Sequence, residues 1–309
     1  MKLASRLKNW LTITVLMGAI ACSHSADGAD THFPRDAFAY FEITAETVVV
    51  NACIEIVNGN RSECITIPGP SLHSSASGIV VANSKKFSNR QYVMTAGHVC
   101  ETKGYEKRVK AMGAKSGLII TDIFYEPTMK ITNNSGNSFT AKVVALYPSR
   151  DLCIVAVEST GVKPIKLARR QVKPGARIWN LAAPLGIWQP NLQNKFHGLY
   201  SGDYICMEDE VNLFAIPCTP GKSTWSVFTL PATHGSSGSP IFNRYGKVIG
   251  IISMVPEGFP ELAYAVQLKD MHRLLDALLE HEKTCETDCK QIDFEGPGIS
   301  ADDIVLIKD

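Results

Sequence analysis

The sequence predicts an all-β protein of the antiparallel sandwich or barrel kind, on three observations. From about Thr47 onward, short runs rich in β-branched and aromatic residues recur, each closed by Gly, Pro, Asn or Ser. No helical pattern separates them, as a βαβ fold would require. A helical period emerges only once, over Leu268 to roughly Lys283, where Met271, Leu274, Leu275, Leu278 and Leu279 recur at spacings of three and four.

The runs read as strands in order. Thr47 to Val57 comes first, then Ser77 to Val81 and Tyr92 to Met94. Lys142 to Leu146 and Leu152 to Val157 follow, the second a continuous apolar run of the length a buried strand needs. Arg177 to Leu181, Thr224 to Leu230 and Lys247 to Met254 complete the set. No internal repeat or low-complexity stretch interrupts them, and the residues after Cys289 form a short, acidic tail with Gly and Pro punctuation.

The first residues read as an export signal. Lys2, Arg6 and Lys8 precede an uncharged apolar run from Trp10 to Ile20, and small residues follow. That run is too short for a stable membrane span. Ala19-Ile20-Ala21-Cys22 can be cut after Ala21, or it resembles the lipobox of bacterial lipoproteins, whose cysteine, here Cys22, is acylated and holds the protein on a membrane. Removal of residues 1–21 from the 309 leaves 288, with 28 basic and 30 acidic side chains. That balance gives no basic field for nucleic acid. The expected location is therefore outside the cytoplasm: secreted, periplasmic or anchored at an outer membrane.

Of nine cysteines, eight remain if Cys22 is set aside, an even number suited to pairing in an oxidising compartment. Cys53 and Cys64 flank turn signals, and Cys206 and Cys218 flank an acidic turn, so each pair could staple a hairpin end. His281, Cys285 and Cys289 fall at i, i+4 and i+8, one face of a helix. A zinc site there would lack a fourth ligand, and an oxidising compartment favours a Cys285–Cys289 bridge or pairing elsewhere, so no metal and no cofactor is expected.

Three motifs carry chemistry. A serine hydroxyl is a poor nucleophile at neutral pH, so acyl transfer needs a base, a group that orients the base, and donors for the oxyanion. Gly235-Ser236-Ser237-Gly238-Ser239-Pro240 sets a serine in a glycine-flanked turn able to aim the Gly235 and Ser237 amides at one point. Thr95-Ala96-Gly97-His98-Val99 puts an imidazole at a strand end, and Ser149-Arg150-Asp151-Leu152 puts a carboxylate at a strand entrance. Asp151 would fix the tautomer of His98 and leave a ring nitrogen for Ser237.

TAGHV around His98, RDLCIVAV around Asp151 and HGSSGSPIF around Ser237 resemble the three signature blocks of trypsin-like serine peptidases. The order His, Asp, Ser matches chymotrypsin and differs from subtilisin and the α/β-hydrolases. The resemblance covers residues 45 to 283. It implies two antiparallel six-stranded β-barrels with a C-terminal helix and a cleft between the barrels. It places a protease domain at 40–284, with barrel one at about 45–158, barrel two at about 172–266, the helix at 268–283, and a tail at 285–309. It also implies a serine endopeptidase acting on protein or peptide substrates, with Ser237 as nucleophile, His98 as general base and Asp151 as orienter.

The departures from that family narrow the expectation. Pancreatic enzymes carry Asp before the nucleophile, where this chain has Ser236, so the resemblance is nearer to bacterial glutamyl endopeptidases and HtrA peptidases. By the match, Ser253 hydrogen-bonds Asp151, and Pro231, His234, Ser253 and Val255 border the substrate. No carboxylate lies between Trp225 and Ser237, so the pocket lacks the charge that a Lys or Arg preference needs. Ile252 stands where glutamyl endopeptidases have a pocket histidine, which leaves His234 as the residue able to favour Glu. Val255 narrows the entrance, which implies small or medium apolar side chains at the cleaved residue.

Three rival readings remain. A non-catalytic binding protein of the same fold would usually have lost one of the three residues, and all are present. A lipase would show Gly-x-Ser-x-Gly and another motif order. HtrA enzymes carry a further peptide-binding domain, and the residues after Cys289 are too few to hold one.

Overall fold

The computed structural model describes residues 35–45, 48–54, 63–101, 103–192, 194–205, 224–256, 258–284 and 304–306. The export signal, Cys22, Cys206, Cys218, Cys285 and Cys289 lie outside them.

The first body is built from β1 (Phe38–Ala45), β2 (Val48–Ile54), β3 (Glu63–Pro68), β4 (Leu72–Asn83) and β5 (Arg90–Ala96). A short helix α1 (Gly97–Cys100) and a longer α2 (Lys103–Lys115) follow. Then come β6 (Leu118–Tyr125), β7 (Thr128–Asn133), β8 (Ser138–Thr140), β9 (Lys142–Tyr147) and β10 (Leu152–Glu158). The second body comprises β11 (Arg177–Leu181), β12 (Lys195–Ile205), β13 (Thr224–Thr229), β14 (Pro240–Phe242), β15 (Val248–Met254) and β16 (Leu262–Gln267). Helix α3 (Leu268–Thr284) and β17 (Val305–Leu306) end the described chain.

All strand pairings are antiparallel, and the predicted double-barrel architecture is present. The second body is a closed six-stranded barrel in the order β11-β12-β13-β16-β15-β14, sealed by the β11–β14 pair. The first body departs from a closed six-stranded barrel. It is an open eight-stranded sheet, β17-β9-β10-β5-β4-β1-β7-β8, curled into a half-barrel that brings β8 back toward β10. Register shifts between Val80 and Ala82, and between Ile154 and Val155, supply the curl, since a bulge bends its strand and increases local twist. Strands β3, β2 and β6 form a separate three-stranded sheet, fastened by a Cys53–Cys64 disulfide across the β2–β3 pair.

Burial explains why these runs are strands. Leu152 to Val157 is buried at every position, so β10 is covered on both faces by apolar neighbours. Phe41, Ile79, Met94, Tyr147 and Ile154 fill the first core, and Ile178, Trp225, Phe228 and Phe242 fill the barrel. Each such side chain contributes roughly 1.5–3 kcal/mol through removal from water. Helix α3 buries Met271, Leu274, Leu275 and Leu278 of the predicted stripe and leaves Leu279 half-buried at its margin.

Helix α2 is a second helix where sequence periodicity indicates one. Its apolar side chains Tyr105 and Val109 are buried while Met112 remains exposed, so its apolar stripe is too thin to stand out among Lys, Arg and Gly.

Candidate active site

Strand register sets the distance between the first two motifs. β5 and β10 pair with Ala96 opposite Leu152, so the residues just past one strand meet those just before the other. Gly97 lies against that approach: a Cβ on it would fall 2.7 Å from the Leu152 nitrogen and 2.8 Å from the Asp151 carbonyl carbon. Only glycine lets the histidine turn rest on the aspartate turn.

Asp151 closes the 3₁₀ turn Pro148–Arg150 with a left-handed backbone, φ 49°, a conformation in which Asp is enriched among non-glycine residues. Its buried carboxylate meets four hydrogen-bond contacts. Oδ1 accepts the His98 N–H at 2.7 Å and lies 3.1 Å from Nδ1. Oδ2 lies 2.9 Å from Nδ1 and accepts the Ser253 hydroxyl. A carboxylate cannot donate, so Nδ1 carries the proton and the Nε2 lone pair is left available. The His98 side chain is 52% exposed, with its Nδ1 edge held by the protein.

The pair shifts its own protonation. Burial pushes Asp151 up, but the hydrogen bond and charge of His98, then the Ser253 and backbone donors, pull it below the usual carboxylate range. Burial pulls His98 down, but the hydrogen bond and charge of Asp151, joined by Glu101, lift it above the ordinary histidine value. A second disulfide, Cys100–Cys153, brackets this pair, each cysteine standing two residues past one of its members.

The third motif leaves β13 and enters β14. The Ser237 carbonyl accepts the Ser77 N–H at 2.8 Å, and Gly238 N–H donates to Ile252 at 2.7 Å. Ser237 is thus strung between β4 and β15, one residue from the Ser253 that holds Asp151. Ser236 is buried and works within its own turn, with its N–H donating to Thr233 at 2.9 Å and its hydroxyl accepting the Thr233 N–H at 3.2 Å. Gly235 has φ +87° and lies backbone to backbone on Ala183, so no side chain fits there. Among the described residues, neither the Gly235 nor the Ser237 N–H meets a protein acceptor, although Gly235 is buried and Ser237 largely so. Two unpaired amides beside a serine are donors available to an anion.

The remaining predicted residues sit around this turn. Pro231 and His234 are exposed on the segment leading to Gly235, Val255 follows the end of β15, and Ser253 is buried against Asp151. His281 lies in the last turn of α3, and among the described residues no group of three His, Cys, Asp or Glu side chains comes together.

Sequence reasoning missed Ser77, the turn at Pro184–Gly186 that packs on Gly235, and the Cys100–Cys153 bridge. The equal offset of the two cysteines from His98 and Asp151 was the one visible signal.

Comparison with known proteins bears on the family and the fold. The model of the trypsin-like peptidase domain matches residues 76–251, more than half the chain, and includes His98, Asp151 and Ser237. The Serine protease Do-like HtrB of Bacillus subtilis (strain 168) is 26% identical over 205 residues, or 64% of this chain. The match covers 38% of that relative's length. Among solved structures, the active form of the Rv3671c protease from M. tuberculosis superposes with a TM-score of 0.50 at 15% identity, covering 79% of this chain and 82% of that one. The double-barrel fold, the three motifs and the matching domain model together make this chain a member of the trypsin-like peptidase domain family.

Proposed function

We propose that the chain is a serine endopeptidase in which Ser237 is the nucleophile, His98 the general base and Asp151 the group that orients and charges the base. One observation carries the reading: a His98 ring fixed by a buried carboxylate that the Ser253 hydroxyl also holds, while the adjacent Ile252 carbonyl accepts the Gly238 N–H of a serine turn with two unpaired amides. The Ser237 hydroxyl attacks the substrate carbonyl and gives its proton to Nε2. The resulting oxyanion is met by the Gly235 and Ser237 amides. Collapse expels the amine, which takes the proton back from His98, and leaves an acyl-enzyme. Water, deprotonated by His98, then releases the acid and frees Ser237.

Ser236 supports a site that needs no new N-terminus, because its hydroxyl is satisfied inside its own turn where the pancreatic type needs a buried ion pair. The neutral environment of Pro231, Thr233 and Val255 supports cleavage after small or medium apolar residues, with His234 at the rim. Two closed disulfides support a site of action outside the cytoplasm, reached through the export signal, with acylation of Cys22 as the means of membrane attachment.

The deciding experiment is labelling with a fluorophosphonate, which reacts only with activated serines. Wild type should label and Ser237→Ala should not. Silence from a folded, disulfide-intact wild type would overturn the reading in favour of a non-catalytic binding protein of the same fold.

A further inference from the structure

We infer that Ser77 is a positioning residue for the oxyanion donors, an assignment that rests on the serine peptidase reading above. Ser77 lies on β4, fully buried, on the stretch of that strand beyond its pairing with β5, which begins at Ile79 opposite Met94. Its backbone edge is therefore open toward the second body. Its N–H donates to the Ser237 carbonyl at 2.8 Å, and its own carbonyl accepts the Thr95 hydroxyl at 2.8 Å. Its hydroxyl donates to the Gly235 carbonyl at 2.9 Å and accepts the Ala183 N–H at 3.0 Å. Every polar atom of this residue is spent on the serine turn, on the strand that leads to His98, or on the turn that flanks Gly235.

Ser77 reaches the donors at one remove, because the peptides it bonds, Gly235–Ser236 and Ser237–Gly238, adjoin the donor residues on their C-terminal side. In a trans peptide the N–H points opposite to the C=O of the preceding residue, so holding one fixes the other. The Gly235 N–H shares its peptide with the His234 carbonyl, and that carbonyl accepts the Leu185 N–H at 2.6 Å. Leu185 itself has φ +55°, a left-handed conformation unfavourable for a side chain that makes no local hydrogen bond, so its turn must be held from outside.

Beside the direct Leu185–His234 bond, the Ser77 hydroxyl links that turn to the serine loop a second time, through Ala183 on one side and Gly235 on the other. A Cβ on Gly235 would fall 2.3 Å from the Ala183 oxygen and 2.9 Å from the Gly186 nitrogen, so the two segments touch along their backbones and a small shift of one moves the other. Because Ser77 belongs to the sheet that carries His98 and Asp151, it also references the donors to the base. Preorganised donors lose their advantage when their aim loosens, and displacement by about 1 Å can cost on the order of 100-fold in rate.

The test is made on the full chain, with Ser77→Ala and Ser77→Cys and a fluorophosphonate as probe. Active-site titration counts the reactive molecules, so the rate is expressed per folded site. Ser77→Ala should lower the saturating phosphonylation rate roughly 10- to 100-fold, leave the half-saturating probe concentration within about threefold, and leave the acid limb set by His98 where it was. Should Ser77→Ala melt below the assay temperature, Ser77→Cys, close in size and weaker in hydrogen bonding, supplies the same measurement. A per-site rate within twofold of wild type overturns the inference, as does a displaced acid limb, which would place the effect in the His98–Asp151 pair. Failure of both variants to fold also overturns it, leaving Ser77 a purely structural residue. An unreactive wild type is a separate result that removes the proposed function and this inference with it.

Discussion

Cys100 and Cys153 stand two residues beyond His98 and Asp151, and their disulfide fastens the helix that carries the base to the strand that follows the carboxylate. Strand pairing already brings Ala96 opposite Leu152, but pairing ends where the functional side chains begin. The covalent link, from Cys100 just beyond that point to the fully buried Cys153 of β10, continues the registration where hydrogen bonding alone would fray.

Replacing both cysteines by serine should therefore cost activity as well as stability. A link between positions 53 residues apart stabilises by roughly 4 kcal/mol in the chain-entropy account. The kcat of Cys100→Ser/Cys153→Ser should fall while KM changes little, because the base is loosened and the substrate surface is not. Cys53→Ser/Cys64→Ser removes the other bridge, in the separate three-stranded sheet, and should keep its kcat. Equal loss in the two double variants, measured by steady-state kinetics with denaturant titration, would show that the bridge acts only through global stability.

The pH profile follows from the directions in which the pair shifts. Catalysis needs His98 neutral, so kcat/KM should fall as pH drops through a value above the ordinary histidine value of about 6.5. Asp151→Asn removes the Asp151 hydrogen bond and charge that raise it, leaving desolvation opposed by Glu101, so the acid limb should move down while the plateau drops about 10⁴-fold. Stability is linked in two opposite senses. The His98 contribution is complete below its unfolded pKa and fades as pH rises through its raised folded pKa. The Asp151 contribution is present above the unfolded carboxylate value of 3.8 and fades as pH falls through its lowered folded pKa. Both operate from about pH 4 to 6.5, so melts of wild type and Asp151→Asn should differ most in that window. A gap that is flat from pH 3 to 9 would contradict the linkage.

Glu282 offers a change confined to stability. Its buried carboxylate accepts the Tyr92 and Ser84 hydroxyls and, at 3.2 Å, the Lys85 N–H, tying the end of α3 to the hairpin of β4 and β5. Burial and then the bond to Glu282 push the Tyr92 hydroxyl well above the usual tyrosine range. Glu282→Ala strands these donors and should lower unfolding free energy by roughly 2–4 kcal/mol. Labelling per titrated site should stay at the wild-type rate, and a fall in that rate would mean that α3 reaches the catalytic geometry.

How far the sequence speaks for itself can be judged residue by residue. The meeting of His98 with Asp151 was legible because each sits in a local motif whose neighbours have a local job, as Gly97 does in letting two turns touch. Strands β2, β4, β5, β9, β10, β11, β13 and β15 were visible because burial on one or both faces imposes β-branched runs, whereas β1, β3, β6, β7, β8, β12, β14 and β16 were not read as runs. Ser77 was not visible, because two of its four bonds come from its main chain, which any residue type could offer, and the two from its hydroxyl reach residues 158 and 106 positions away in the chain. The half-open first body was equally silent, since closure depends on the length of β8 and on where bulges fall. Helix α2 escaped because only two of its side chains are buried.

The path of the chain has a consequence for how the molecule is assembled. After β10 it leaves the half-barrel, builds the whole of the closed barrel, and returns: Arg273 reaches the Tyr147 hydroxyl at 3.1 Å, Glu282 grips the β4–β5 hairpin, and β17 pairs with the outer edge of β9. In terms of connectivity the barrel is an insertion, with both flanks anchored in the same neighbour. A single cut in the 159–176 crossover would leave the two halves clasped together. In a chain made or exported from its N-terminus, the sheet bearing His98 and Asp151 receives its edge strand only after the barrel bearing Ser237 has emerged, so that sheet is completed at a time when Ser237 has already been made.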